Sequence, residues 1–140
     1  VKRDELDSAV NCFDQSIALN PRADNAHVGL GVVRRKAGDL MGAREAYVEA
    51  TRILPRNAEA YSSLSVIEII EKDYSKAAEY GEKAWSIRQD LPGIPANLAV
   101  AYHYLKNDVK KRHFYNEAKR LNYHQLEAID QIFEGTVDIE

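Results

Sequence analysis

Apolar residues return at helical spacing along almost the whole chain. Leu6, Ala9, Val10, Phe13 and Ile17 form one stripe through residues 3–19, the pattern of an amphipathic helix. The same spacing predicts further helices over 24–37, 40–53, 58–71, 74–88, 95–105, 109–121 and 124–134. Glycine and proline fall at the boundaries. Gly38 suits the left-handed residue that follows a helix end. The helix before Pro55 must stop there, because proline disfavours helix in the preceding residue. Pro95 falls in a first turn, where a missing N–H does no harm. No β-branched run reads as a strand. Connections of a few residues make consecutive helices antiparallel neighbours. Gly135 closes the last helix, and the tail Thr136-Val137-Asp138-Ile139-Glu140 is expected to be extended or frayed.

The pattern also repeats at longer range. Shifted by 34 residues, the sequence aligns with itself without a gap. Ala9, Ala43 and Ala77 share a column, as do Leu30, Leu64 and Leu98. Phe13, Tyr47, Gly81 and Tyr115 share another, and Ser16, Ala50, Ala84 and Ala118 a fourth. A fixed period of this length marks a solenoid, whose units bury their apolar faces only against neighbours. The boundaries read as a partial repeat at 1–23, repeats at 24–57 and 58–91, a degenerate repeat at 92–125, and a capping helix with an acidic tail at 126–140.

These columns resemble the tetratricopeptide repeat, a two-helix unit. The likeness covers about residues 4–123 and is strongest where Leu30-Gly31, Gly38-Asp39-Leu40, Ala43, Tyr47, Ala50 and Pro55 stand together. It implies an all-α fold, a right-handed superhelical solenoid of antiparallel helix pairs. Small residues at Gly31 and Ala43 let the two helices of a unit approach, and rings such as Tyr47 fill the space between units. Gly81 leaves a ring missing from its column, and Trp85, one turn later, is the expected filler. Lys111 in the alanine column makes the second helix of the last repeat the least certain in register.

The resemblance further implies a protein or peptide partner held in a concave groove lined by first helices. The groove candidates are Asn25, Val28 and Arg35, then Ser62, Ile69 and Ile70, then Asn97, His103 and Tyr104. Val32, Val66 and Val100 share that face but are equally explained by packing between first helices. Some family members clamp an acidic C-terminal carboxylate with Lys and Asn on these faces. Here the matching places hold Val28, Val32, Ser63, Gly93 and Asn97, so only Asn97 fits and that binding mode is not expected. The stripe of Leu6, Phe13 and Ile17 has no helix before it. It is a candidate surface for homo-oligomerisation or for missing upstream repeats, unless it packs wholly on the next helix. With Val1 inside a repeat, the alternative reading is a regulatory or assembly module cut from a larger protein whose activity lies elsewhere.

Composition removes several other functions. The net charge of −3 gives no general attraction to nucleic acid, so no nucleic-acid partner is expected. No apolar run approaches a membrane span, so no direct membrane insertion is expected. The lone Cys12 excludes an internal disulfide and suits a cytoplasmic compartment, with a periplasmic one also compatible. No metal-ligand spacing, P-loop, dinucleotide motif or nucleophile–base arrangement occurs, so neither cofactor nor catalysis is expected. Charge is uneven, however. Residues 106–120 carry Lys106, Lys110, Lys111, Arg112, Lys119 and Arg120 against Asp108 and Glu117, whereas residues 126–140 carry five acids and no Lys or Arg. Such runs are often solvated faces. The sharper expectation is that the acidic tail folds onto the basic helix or into a neighbour's groove.

Overall fold

The computed structural model describes residues 3–135; the tail beyond Gly135 lies outside the described residues. The described residues form eight helices and no strand. They are α1 (Arg3–Leu19), α2 (Asp24–Lys36), α3 (Leu40–Ile53), α4 (Ala58–Ile70), α5 (Tyr74–Ile87), α6 (Gly93–Tyr104), α7 (Asp108–Arg120) and α8 (Leu126–Phe133). The main departure from the sequence reading is α6. It starts at Gly93, two residues earlier than expected, with Pro92 as its N-cap residue, so Pro95 still falls in the first turn. The chain divides into two compact units, one up to Ser63 and one from Leu64, and the division falls inside α4.

In the first unit α2 packs against both α1 and α3. The close approach of α2 and α3 depends on Gly31. A Cβ at that position would lie 2.5 Å from the Tyr47 ring, which is completely buried. Gly29 plays the same part toward α1, giving its space to the Phe13 ring. The start of α4 is tied to the start of α2: the Asn57 amide donates to the Asp24 carboxylate at 2.9 Å, while its oxygen accepts from the Ala60 N–H at 3.0 Å and caps α4. His27 is buried, and its ring meets the Pro21 carbonyl at 3.1 Å. The contact ties α2 to the loop that precedes it, across the repeat boundary, where packing within the repeat alone was expected.

In the second unit α6 is central, packing on α5, α7 and α8. Leu98, fully buried, fills the notch at Gly81, where a Cβ would come within 2.7 Å of it. Trp85 does not supply the missing volume; its ring instead meets Phe114 edge-on at 6.2 Å. The buried Ser65 hydroxyl donates to the Ala77 carbonyl at 2.8 Å and links α4 to α5. Tyr102 donates to Glu82 at 3.0 Å, and Lys110 reaches both from α7. The second helix of the last repeat keeps its register: Asn107 caps α7 as Asp39 caps α3 and Asp73 caps α5, each 34 residues apart.

The residue before each of these caps ends the preceding helix in a left-handed conformation. Gly38 has φ 87°, but Lys72 and Lys106 hold φ 64° and 59° with a Cβ present. In each case the following N–H bonds the carbonyl five residues back, as in Asp73 to Glu68 and Asn107 to Tyr102. A left-handed residue other than glycine costs about 1 kcal/mol. Lys72→Gly and Lys106→Gly are therefore each expected to stabilise the chain by about 1 kcal/mol, read as a higher urea midpoint. Unchanged midpoints in both variants would refute the assignment of strain.

Candidate functional site

The first helices α2, α4 and α6 carry the groove candidates. On α2, Asn25, Val28 and Arg35 fall on one side by helical spacing; Asn25 is exposed and the other two are half-buried. On α4, Ser62 and Ile70 are half-buried, but Ile69 is only 5% exposed and offers little surface to a ligand. On α6, Asn97, His103 and Tyr104 are half-buried. Two of these three already have aromatic neighbours. Tyr104 stacks on Tyr74 with centroids 4.4 Å apart, and His103 stacks on Phe133 of α8 at 4.7 Å. The capping helix therefore lies against one end of the α6 candidate face, which its sequence could not reveal.

These surroundings disfavour the charged form of His103. Burial lowers its pKa first, and the nearby Lys111 charge adds to that; Asp108 works the other way. A histidine with a depressed folded pKa adds stability above its ordinary pKa and loses it as pH falls through the folded value. Acidification from about pH 7.5 to about pH 5 should therefore weaken the stacking of α8 on α6. His103→Phe should flatten that part of the pH profile in chemical denaturation. An unchanged pH slope in the variant would contradict the role given to His103.

The three N-terminal association candidates are partly used inside the chain. Leu6 is buried at 9% exposure, Phe13 seats at Gly29, and Ile17 is half-buried. The exposed large apolar residue of that helix is Leu19, at 88%.

A concave feature absent from the sequence-based set lies between α7 and α8. It is a cavity of about 350 Å³ lined by Asp108, Lys111, Arg112, Tyr115 and Phe133. The Lys111 ammonium sits 4.2 Å from the centre of the Phe133 ring. Tyr115 donates a 2.6 Å hydrogen bond to Asp130, and that carboxylate pushes the phenol pKa up to about 12. The cation run at 106–120 was its one sequence signal; the aromatic wall depends on where α8 docks.

Among the described residues no group of three or more His, Cys, Asp or Glu side chains could hold a metal, and no helix is long and apolar enough to cross a membrane. Cys12 is exposed on α1.

The family model described as "Tetratricopeptide repeat" matches residues 1–53 and 33–91. Among solved structures, one titled "Crystal structure of MamA" superposes with a TM-score of 0.76 over 96% of this chain and 81% of that one, at 15% sequence identity. At that identity the likeness speaks for the fold alone. No curated protein matches the sequence. The family match spans more than half of the chain and coincides with the 34-residue columns, the helix pairs and the glycine seats for rings. The chain belongs to the tetratricopeptide repeat family, with its all-α fold of paired helices.

Proposed function

We propose that this chain is a non-enzymatic protein–protein interaction scaffold that holds a peptide segment of a partner against its first-helix faces. Tetratricopeptide repeats generally mediate protein–protein interaction. The observation that carries the finer reading is the mixed surface that the first helices keep beside the buried small columns. The small columns of the second helices, Ala43, Ala50, Ala77 and Ala84, are wholly buried. By contrast Asn25, Val28, Arg35, Ser62, Ile70, Asn97 and Tyr104 on the first helices retain exposed surface. A mixed apolar and polar face of this kind suits a helical or extended peptide with apolar anchors. Pre-formed helices lose little entropy on binding, which favours a rigid display mechanism.

Selection of random peptides on the immobilised chain tests this reading. Selected peptides should lose at least about tenfold in affinity on Arg35→Glu or Asn97→Ala. They should be indifferent to Met41→Ser, an exposed position on second helix α3. Peptides sensitive to Met41 and insensitive to both first-helix changes would overturn the proposal.

A further inference from the structure

The cavity between α7 and α8 joins positive charge to an aromatic wall. Its polar rim holds two cations, Lys111 and Arg112, and one carboxylate, Asp108. The wall is formed by Tyr115 and Phe133, with ring centroids 5.8 Å apart. Phe133 also stacks on His103 of α6, so the wall is in place before any ligand arrives. Lys111 covers the Phe133 ring, and Arg112 is exposed. Of the other Lys and Arg side chains of α7, Lys110 bonds Glu82 and Tyr102, and Arg120 pairs with Glu117. Lys119 is exposed and lies outside the lining. Two turns beyond Arg112, it falls on the same side of α7, about 10 Å along the helix axis. Tyr115 stands between the two in helix order.

We infer that this surface of α7 and α8 docks an acidic peptide segment of a partner protein, with two acidic residues three positions apart and an aromatic residue between them. The site is separate from the first-helix faces, because α7 is the second helix of its repeat. Charge complementarity chooses the occupant. The lining has two cations against one carboxylate, and Lys119 extends the positive side. The whole chain carries a net charge of −3, so the attraction is local and does not favour a long polyanion such as a nucleic acid. The rings exclude a bare anion as the preferred ligand, since it would leave the apolar wall uncovered. A volume of about 350 Å³ is near the lower end of ligand-pocket sizes and takes a large side chain rather than a folded surface. Spacing sets the sequence of the segment. In a polyproline-II backbone three residues advance about 9 Å and bring the side chain back to the same side. Acids three positions apart therefore match Arg112 and Lys119. The aromatic residue between them is turned a third of the way round, toward Phe133 on α8.

Titration of the isotope-labelled full chain at low salt with the blocked peptide acetyl-Gly-Glu-Phe-Pro-Glu-Gly-amide, followed by nuclear magnetic resonance, tests the assignment. Shifts should concentrate at Lys111, Arg112, Tyr115, Lys119 and Phe133. Arg112→Glu and Lys119→Glu should each weaken binding about fivefold, the scale of an exposed charge pair lost, with helical circular dichroism unchanged. Arg56→Glu, an equal change of net charge at an exposed position outside α7 and α8, should leave affinity as it was. The peptide with serine in place of phenylalanine should bind at least about tenfold more weakly. Equal weakening by Arg56→Glu, or equal binding of the serine peptide, would overturn the proposal, because attraction would then be charge alone. Absence of binding would overturn it too. Shifts at Arg35 and Asn97 with α7 and α8 untouched would also overturn it, while leaving the first-helix reading standing.

Discussion

Tyr47→Ala is expected to cost the chain about 4 kcal/mol, while Tyr47→Phe should cost nothing and stabilise by up to about 1 kcal/mol. The ring is fully buried and seats where Gly31 has no side chain, so truncation empties a space enclosed by α2 and α3. Neighbouring backbone cannot collapse into it without unpacking both helices. The hydroxyl is different. It is buried and finds no hydrogen-bond partner among the described residues, so it carries a desolvation cost with no return. Denaturant unfolding of the two variants separates ring from hydroxyl. A Tyr47→Phe variant as unstable as Tyr47→Ala would show that the hydroxyl is bonded and that the account of this joint is mistaken.

Leu98→Ala is the counterpart in the second unit, with an expected cost of about 3 kcal/mol. Leu98 is fully buried and fills the notch of Gly81 on α5. The pair makes a stronger test than either change alone. Gly81→Ala in the normal background gains about 1 kcal/mol of helix propensity but meets the Leu98 side chain at 2.7 Å, which cannot withdraw from a closed core. The outcome should be a loss of about 1 kcal/mol. In the Leu98→Ala background the clash disappears, and the same substitution should gain about 1 kcal/mol. A cycle in which Gly81→Ala has the same effect in both backgrounds would dissolve the proposed coupling.

Most of the helical frame was legible because its signals are local. Period, Gly38, Pro55 and Gly135 set helix ends to within a residue or two. The filler at Gly81 was not, since the sequence reading looked one turn along the same helix to Trp85. The volume comes instead from Leu98, on another helix. Lys72 and Lys106 in left-handed conformations carry no signal in their chemistry; their signal is their place, 34 and 68 residues after Gly38. The surface candidates were legible only as a face. Helical spacing placed Asn25, Val28 and Arg35 together, but burial of Ile69 and the stacking of His103 on Phe133 depend on packing between elements distant in sequence. The α7–α8 cavity follows the same rule: its cations announced themselves as a charge run, and its aromatic wall did not.

Amide hydrogen exchange with and without a selected peptide tests the central claim most directly, because protection locates the bound surface without altering a residue. The interaction-scaffold account predicts that added protection concentrates in the first helices α2, α4 and α6. Protection confined to α3, α5 and α7 would contradict it, placing partner binding on the second helices instead.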